Sequence, residues 1–275
     1  MSAWRDKTVH WQQRATDAGL VLWYFAVVVF LFTPLAAAVV YSFNMGVLNK
    51  QTAALTGWTW KWYAAAWNDM SLRRSVRVSL LVALWSALLS VIIGSALGYA
   101  LVRHPRSGIR RFLAMLVYSL LIVPESVTGV SLLLFYSVTR VPLGLGTLIV
   151  GITPVAIAVV ALIVRARMLT LDRQLEEAAA DLGSARAQTL WFIVLPQLVP
   201  SIAVGGVMAY TLCFDNLVVS TFLTTPQFTT LPVYLYGSLQ YGPSPAVYAA
   251  ASIVFALSVL MLALVVALHQ LTRPL

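Results

Sequence analysis

Two acidic residues stand where a carboxylate is least expected. Glu125 in VPESVTGVSLLLFY and Asp215 in TLCFDNLVVSTF lie within stretches otherwise apolar enough for lipid. A charged side chain at mid-bilayer costs roughly 2.5–3.5 kcal/mol on insertion scales, so each acid should face a bundle interior or water. The chemistry such a pair offers is attraction for a cation in transit. Aromatic faces, and carbonyls exposed where Pro124 and Gly129 loosen the helix, would assist it. Tyr136, Tyr210, Phe214 and Asn216 are the candidate contacts nearby. The plainer alternative is that either carboxyl is protonated, or satisfied by a neighbouring helix, and serves packing alone.

The elements that must carry these residues are membrane helices. With 275 residues, 60% hydrophobic and 10% charged, the chain is too apolar for a water-facing surface. Its net charge of +9 does not point to nucleic acid, because the Lys and Arg residues punctuate apolar runs. Anionic lipid headgroups suit that pattern better. The single cysteine, Cys213, excludes a disulfide framework and leaves the redox compartment undetermined. His10, His104 and His269 are too scattered to form a metal site, and no G-x-S-x-G turn appears. No metal and no catalytic residue is expected.

A bilayer core of about 30 Å takes about 20 residues of helix. Uncharged intervals of that length place six spans near 19–43, 75–102, 112–138, 147–165, 198–222 and 246–269. The expectation is an all-α membrane protein, with a segment 1–18, a six-helix domain over 19–269 and a tail over 270–275. Between the last two spans, TTPQFTTLPVYLYGSLQYGPSP has the Pro, Gly, Thr and Ser content of turns and a loop. Six spans put both termini on one side. Of the 18 Lys and Arg residues, twelve flank the spans on that side and six on the other, so both termini are expected to be cytoplasmic. The first span could be read as a signal peptide, since PLAAAVV offers small residues for cleavage, but its long uncharged stretch favours a retained anchor. The outer loop from about 44 to 74 contains GWTWKWYAAAW, whose rings suit a short amphipathic helix along the interface. A quaternary-ammonium cage is the sharper reading of the same rings.

The loop over about 166–197 differs from everything around it. Leu171, Leu175, Ala178 and Leu182 mark one stripe of a helix, with Arg173, Glu177 and Asp181 on the other face. Gly183 suits a helix end. Ser184 would cap a second helix, with Ala187, Leu190, Trp191 and Val194 on one face, which Pro196 is expected to end. Read from periodicity alone, this is either a surface for docking in a groove of another protein or a hairpin resting on lipid.

The spacing of Glu177-Ala178-Ala179, Gly183, Ile193 and Leu195-Pro196 resembles in full the EAA motif of permease subunits of binding-protein-dependent ATP-binding cassette importers. VPESVTGVSLLLFY, TLCFDNLVVSTF and TTLPVYLYGSLQYGPSPAVYAAASI look like permeases of the spermidine/putrescine type, so the similarity covers roughly residues 70–270. The resemblance implies that Glu177, Ala178, Ala179 and Gly183 dock on an ATPase subunit, with Leu195-Pro196 setting the return into the fifth span. It further implies two ATPase subunits, a second similar permease and an external solute-binding protein, in a bacterial cytoplasmic membrane. No G-x-x-x-x-G-K-[ST] loop occurs, so ATP and Mg are expected on the partner subunits and this chain is not itself an enzyme. The competing reading is an ion-coupled secondary transporter or channel using Glu125 and Asp215 as a cation or proton relay. A scaffold without transport leaves both acids unexplained.

Overall fold

The computed structural model describes residues 2–47, 50–52, 54–240, 244–253 and 255–256, with side chains from Gly19 onward. The described residues are mostly helical, and their β-pairing is limited to isolated bridges. They divide into two compact units, one made of residues 1–69 and 238–275, the other of residues 70–237.

In the first unit, α1 (Ser2–Ser42) includes a 24-residue apolar stretch, Gly19–Ser42, which matches the first expected span. The chain then wraps around Asn44, which is fully buried. Its Nδ2 donates to Gln51 Oε1 and the Ala54 carbonyl, and its Oδ1 accepts from the Thr56 N–H at 2.7 Å. Trp62 Nε1 donates to the Asn44 carbonyl at 2.9 Å, which anchors the short helix α2 (Lys61–Asn68). A short helix among these aromatics is thus present. The rings of Phe43, Trp60 and Tyr63 pack on one another, with centroids 4.7 to 5.4 Å apart, beside a cleft of about 320 Å³ lined by Phe43, Trp58, Thr59 and Trp60.

The second unit is organised by three long helices packed on one another. These are α3 (Met70–Arg103), α6 (Leu145–Thr170) and α9 (Leu195–Phe214). Their contact is written in small residues. Ser86, Ser90, Gly94 and Gly98 recur every four residues along one face of α3, and all are buried. A methyl group added at Gly94 would lie 2.8 Å from the Ile157 carbonyl, and one at Gly98 would lie 2.7 Å from the Ala161 carbonyl. Without a side chain there, α3 and α6 meet backbone to backbone, which is how membrane helices gain van der Waals contact that lipid cannot supply. Val82, Leu148, Val160, Val164, Met168 and Leu223 fill the core around this crossing.

The third expected span is not one helix. It consists of α4 (Ser107–Ile122) and α5 (Glu125–Val138), bent by 97°. Val123 and Pro124 are extended, with ψ of 125° and 132°. Proline has no N–H to continue the ladder and disfavours helical geometry in the residue before it. Hydropathy sums composition and is blind to direction, so the bend was invisible to it. The described residues therefore hold four helices long and apolar enough to cross a membrane, or five if the bent pair counts as one span. Most of the expected sixth span, 246–269, and all of the tail 270–275 lie outside the described residues. The fifth expected span also breaks, at residues 215–217, before α10 (Val218–Leu223).

Two local expectations are corrected. The stretch read as a loop contains a helix, α11 (Leu231–Gln240). Pro232 sits in its first turn, where a missing N–H costs nothing, and the Leu231 N–H is taken up by Ser79 Oγ at 2.8 Å. Nor does Pro196 end a helix. After the short α8 (Arg186–Thr189), the chain makes a π-turn over Leu190–Val194 and continues into α9. The Leu195 N–H bonds to the Leu190 carbonyl five residues back, the wider register that lets a proline follow without colliding with the preceding turn.

Candidate functional site

The motif-bearing segment folds as α7 (Gln174–Asp181). Its start is fixed by Asp172, whose carboxylate accepts the Gln174 N–H at 2.9 Å. Its end is a Schellman turn in which the Gly183 N–H reaches the Ala180 carbonyl and the Ser184 N–H reaches the Ala179 carbonyl, both at 2.9 Å. Gly183 has φ of +80°, and nothing lies within 4 Å of where its Cβ would be. The conformation explains the glycine, and the open space leaves room for something outside this chain. Ala185, rather than Ser184, occupies the cap position of α8, where its N–H donates to Gln188 Oε1.

The expected stripe of Leu171, Leu175, Ala178 and Leu182 is split, because α7 covers only Gln174–Asp181, and its members Leu175 and Ala178 turn away from their own chain. Ala179 is buried, whereas Leu175 is 48% and Leu182 is 89% exposed and Ala178 is also exposed. Leu171 belongs to the preceding turn and packs on the core. Glu177 is exposed and pairs with Arg173 at 3.2 Å, one turn back. Leu195 and Pro196 form the first turn of α9. Sequence reasoning missed Glu176. Its Oε1 lies 2.7 Å from both Nε and Nη2 of Arg103, the last residue of α3, with only 20% and 14% of the two side chains exposed. Seventy-three positions separate the two residues, and no local pattern joins them.

The two acids of the apolar stretches sit at helix breaks. Glu125 occupies the first turn of α5, directly after Pro124, and its Oε2 accepts from Asn216 Nδ2 at 3.0 Å. The Asn216 Oδ1 in turn accepts the Val219 and Ser220 N–H groups at 3.1 and 3.3 Å, which satisfies the exposed start of α10. One amide thus ties the beginnings of two helices together. Asp215 closes α9 and is exposed. Tyr210 and Phe214 stack in the last turns of α9, with centroids 6.2 Å apart, and are half-buried. Tyr136 is packed into the core. Glu125 and Asn216 are therefore brought together, Tyr210 and Phe214 form a second pair, and Tyr136 belongs to the buried core on which that second pair packs.

Residues 90–274 match the family described as the inner membrane component of binding-protein-dependent transport systems. The chain is 32% identical over 231 residues to the putrescine transport system permease protein PotI of Escherichia coli K12, covering 82% of this chain and 81% of that protein. It is 33% identical over 238 residues to the spermidine/putrescine transport system permease protein PotC of the same organism, covering 86% and 88%. Among solved structures, a bacterial ABC transporter involved in the import of the acidic polysaccharide alginate aligns with a TM-score of 0.72 at 16% identity, over 96% of this chain and 98% of that one. The methionine transporter MetNI aligns with a TM-score of 0.60 at 19% identity, over 74% and 96%. These two likenesses concern the fold. A relay in an ion-coupled secondary transporter, the competing reading of Glu125 and Asp215, has no place in this assignment. With its motif, its apolar helices and these relatives, the chain belongs to the permease family of inner membrane components of binding-protein-dependent transport systems.

Proposed function

We propose that this permease forms the path for a small cationic solute of the polyamine class and is driven by separate ATPase subunits through α7. The observation that carries the coupling role is the stripe of Leu175, Ala178 and Leu182, exposed beside a glycine turn with open space around it. The small, exposed Ala178 admits close approach of a groove, while Ala179 packs against its own chain, and Glu177 can exchange Arg173 for an arginine on the groove rim. Leu195 and Pro196 then pass the motion into α9. In this reading the α7 side and both termini are cytoplasmic. The complex contains two ATPase subunits carrying ATP and Mg, a second similar permease and an external solute-binding protein.

The names of the two relatives support a polyamine cargo. Glu125 and Asp215 supply negative charge at the helix breaks, and Tyr210, Phe214 and Asn216 supply ring faces and an amide, with Tyr136 in the core on which the two rings pack. The test is uptake of putrescine and spermidine by vesicles holding the complete complex. Gly183→Arg should abolish solute-stimulated ATP hydrolysis, because a large residue at positive φ distorts the turn and fills the docking space. Gly183→Asn should be far milder, since Asn tolerates that conformation. Wild-type stimulation in Gly183→Arg would falsify the coupling assignment.

A further inference from the structure

The helix α7 is held covalently at only two places. Residues 171–173 join it to α6, and residues 182–185 join it to α8 and so to α9. Two attachment points define an axis, and a body fixed at two points still rocks about the line between them. Beyond these joints only Ala179 of α7 is buried, so a third, off-axis point strengthens the transfer of a push on α7 to the bundle. The Arg103–Glu176 pair is such a point, for it joins the first turn of α7 to the last residue of α3. It differs in kind from the other ion pair on this helix. Arg173–Glu177 is 74% and 64% exposed and lies within one turn of its own segment, so it constrains nothing beyond α7. Arg103–Glu176 is mostly buried, short, and spans two separate elements.

We propose that Arg103 and Glu176 are positioning residues that lock α7 to α3, so that movement of the docked segment tilts the α3, α6 and α9 bundle as one piece. The inference rests on the reading of α7 as the coupling segment. The neighbouring polar links suit this role. Arg167 Nε donates to the Gln197 carbonyl at 3.3 Å, between α6 and α9, and Arg165 Nη1 donates to Tyr118 Oη at 2.7 Å, between α6 and α4. Three helices, α4, α6 and α9, are thereby linked, and Arg103–Glu176 joins α7 to α3, which packs on α6 and α9. Glu177, one residue on, holds only its exposed pairing with Arg173.

The experiment uses the complete complex in vesicles, with its external binding protein and putrescine as the probe. Solute taken up per ATP hydrolysed is measured together with basal hydrolysis and the recovery of ATPase subunits on purification. Glu176→Gln and Arg103→Gln should retain the ATPase subunits and basal hydrolysis while the uptake-to-hydrolysis ratio falls by about tenfold, a coupling effect of ordinary size. The exchanged double variant, Arg103→Glu with Glu176→Arg, should recover most of that ratio. A wild-type ratio in both single variants would overturn the proposal, as would failure of the exchange to recover it, or loss of the ATPase subunits, which would make the pair a docking element alone. Gly183→Arg measured alongside separates the two ideas. If it uncouples while Glu176→Gln does not, the lock fails and the coupling segment stands; if neither uncouples, the coupling segment itself is refuted.

Discussion

The α3–α6–α9 bundle and the α5–α10 pair are equally helical, yet they are held together by opposite means. In the bundle, long helices approach until backbones touch at Gly94 and Gly98 of α3, with Ser86 and Ser90 buried on the same face. In the pair, short helices begin at chain breaks, and a side-chain amide between Glu125 and the α10 N–H groups joins them. Backbone contact at Gly94 and Gly98 tolerates no added atom. A broken helix exposes N–H groups and carbonyls that must find partners, and such a place is where a membrane protein positions charge. The division is not complete, because the Tyr210–Phe214 pair and Asp215 come from the end of α9, a bundle helix.

The comparison breaks most severely if the bundle can absorb bulk. Gly98→Leu places a Cβ 2.7 Å from the Ala161 carbonyl, a backbone atom that no rotamer change can move aside. The expected cost is about 3 kcal/mol or more, at the upper end for overpacking. Thermal unfolding of the detergent-solubilised chain would register it as a large loss of Tm or of soluble yield. Gly108→Leu in the first turn of α4, where nothing lies within 4 Å, is the control and should leave Tm nearly unchanged. Equal behaviour of the two variants would remove the distinction between bundle and periphery.

A smaller effect is expected at the tie, and here two substitutions separate charge from geometry. Glu125→Gln keeps an oxygen able to accept from Asn216 but removes the negative charge, so stability should hold while putrescine uptake slows. Asn216→Ala keeps the charge but leaves Glu125 and the Val219 and Ser220 N–H groups without their partner. It should cost about 1–3 kcal/mol, as for other buried polar groups left unpaired. Uptake and Tm measured on both variants decide the matter. If Glu125→Gln lowers Tm as much as Asn216→Ala and leaves uptake unchanged, the carboxylate is there for packing.

These contrasts mark how far the sequence could be read. Spans expected at 75–102 and 147–165 appear as α3 and α6, each longer than expected at both ends. Apolar length is a property of composition, and composition is local. The motif segment was legible for the same reason, since the helix, its glycine turn and its apolar stripe are all short-range. What escaped notice depends on partners distant in the chain or on direction. Arg103 meets Glu176 only once α3 and α7 are folded, and the Ser-Ser-Gly-Gly face of α3 gains meaning only against α6. The π-turn before Pro196 and the helix at Leu231–Gln240 each accommodate a proline through a hydrogen bond that periodicity does not encode.

The smallest expected effect belongs to the residue that looks most responsible for the broken span. Pro124 removes an N–H and disfavours a helical Val123, which explains why a break is permitted there. Whether it also holds the 97° bend is a separate matter. The start of α5 is fixed by the Glu125–Asn216 bond, and farther along Gly129 sits so close to the Phe222 ring that an added Cβ would fall 2.5 Å from it. Both contacts would be lost if α4 and α5 joined into one straight helix. The contacts on α10 should therefore outweigh the single hydrogen bond regained, and Pro124→Ala should retain the bend. The remaining change comes from the greater freedom of alanine in the unfolded chain, a loss of about 0.4–1 kcal/mol. A modest fall in Tm with unchanged uptake is the expected result. Abolished uptake in a folded Pro124→Ala chain would mean that proline alone keeps α5 against α10, and the pair would then be held by backbone constraint, as the bundle is, rather than by its side chains.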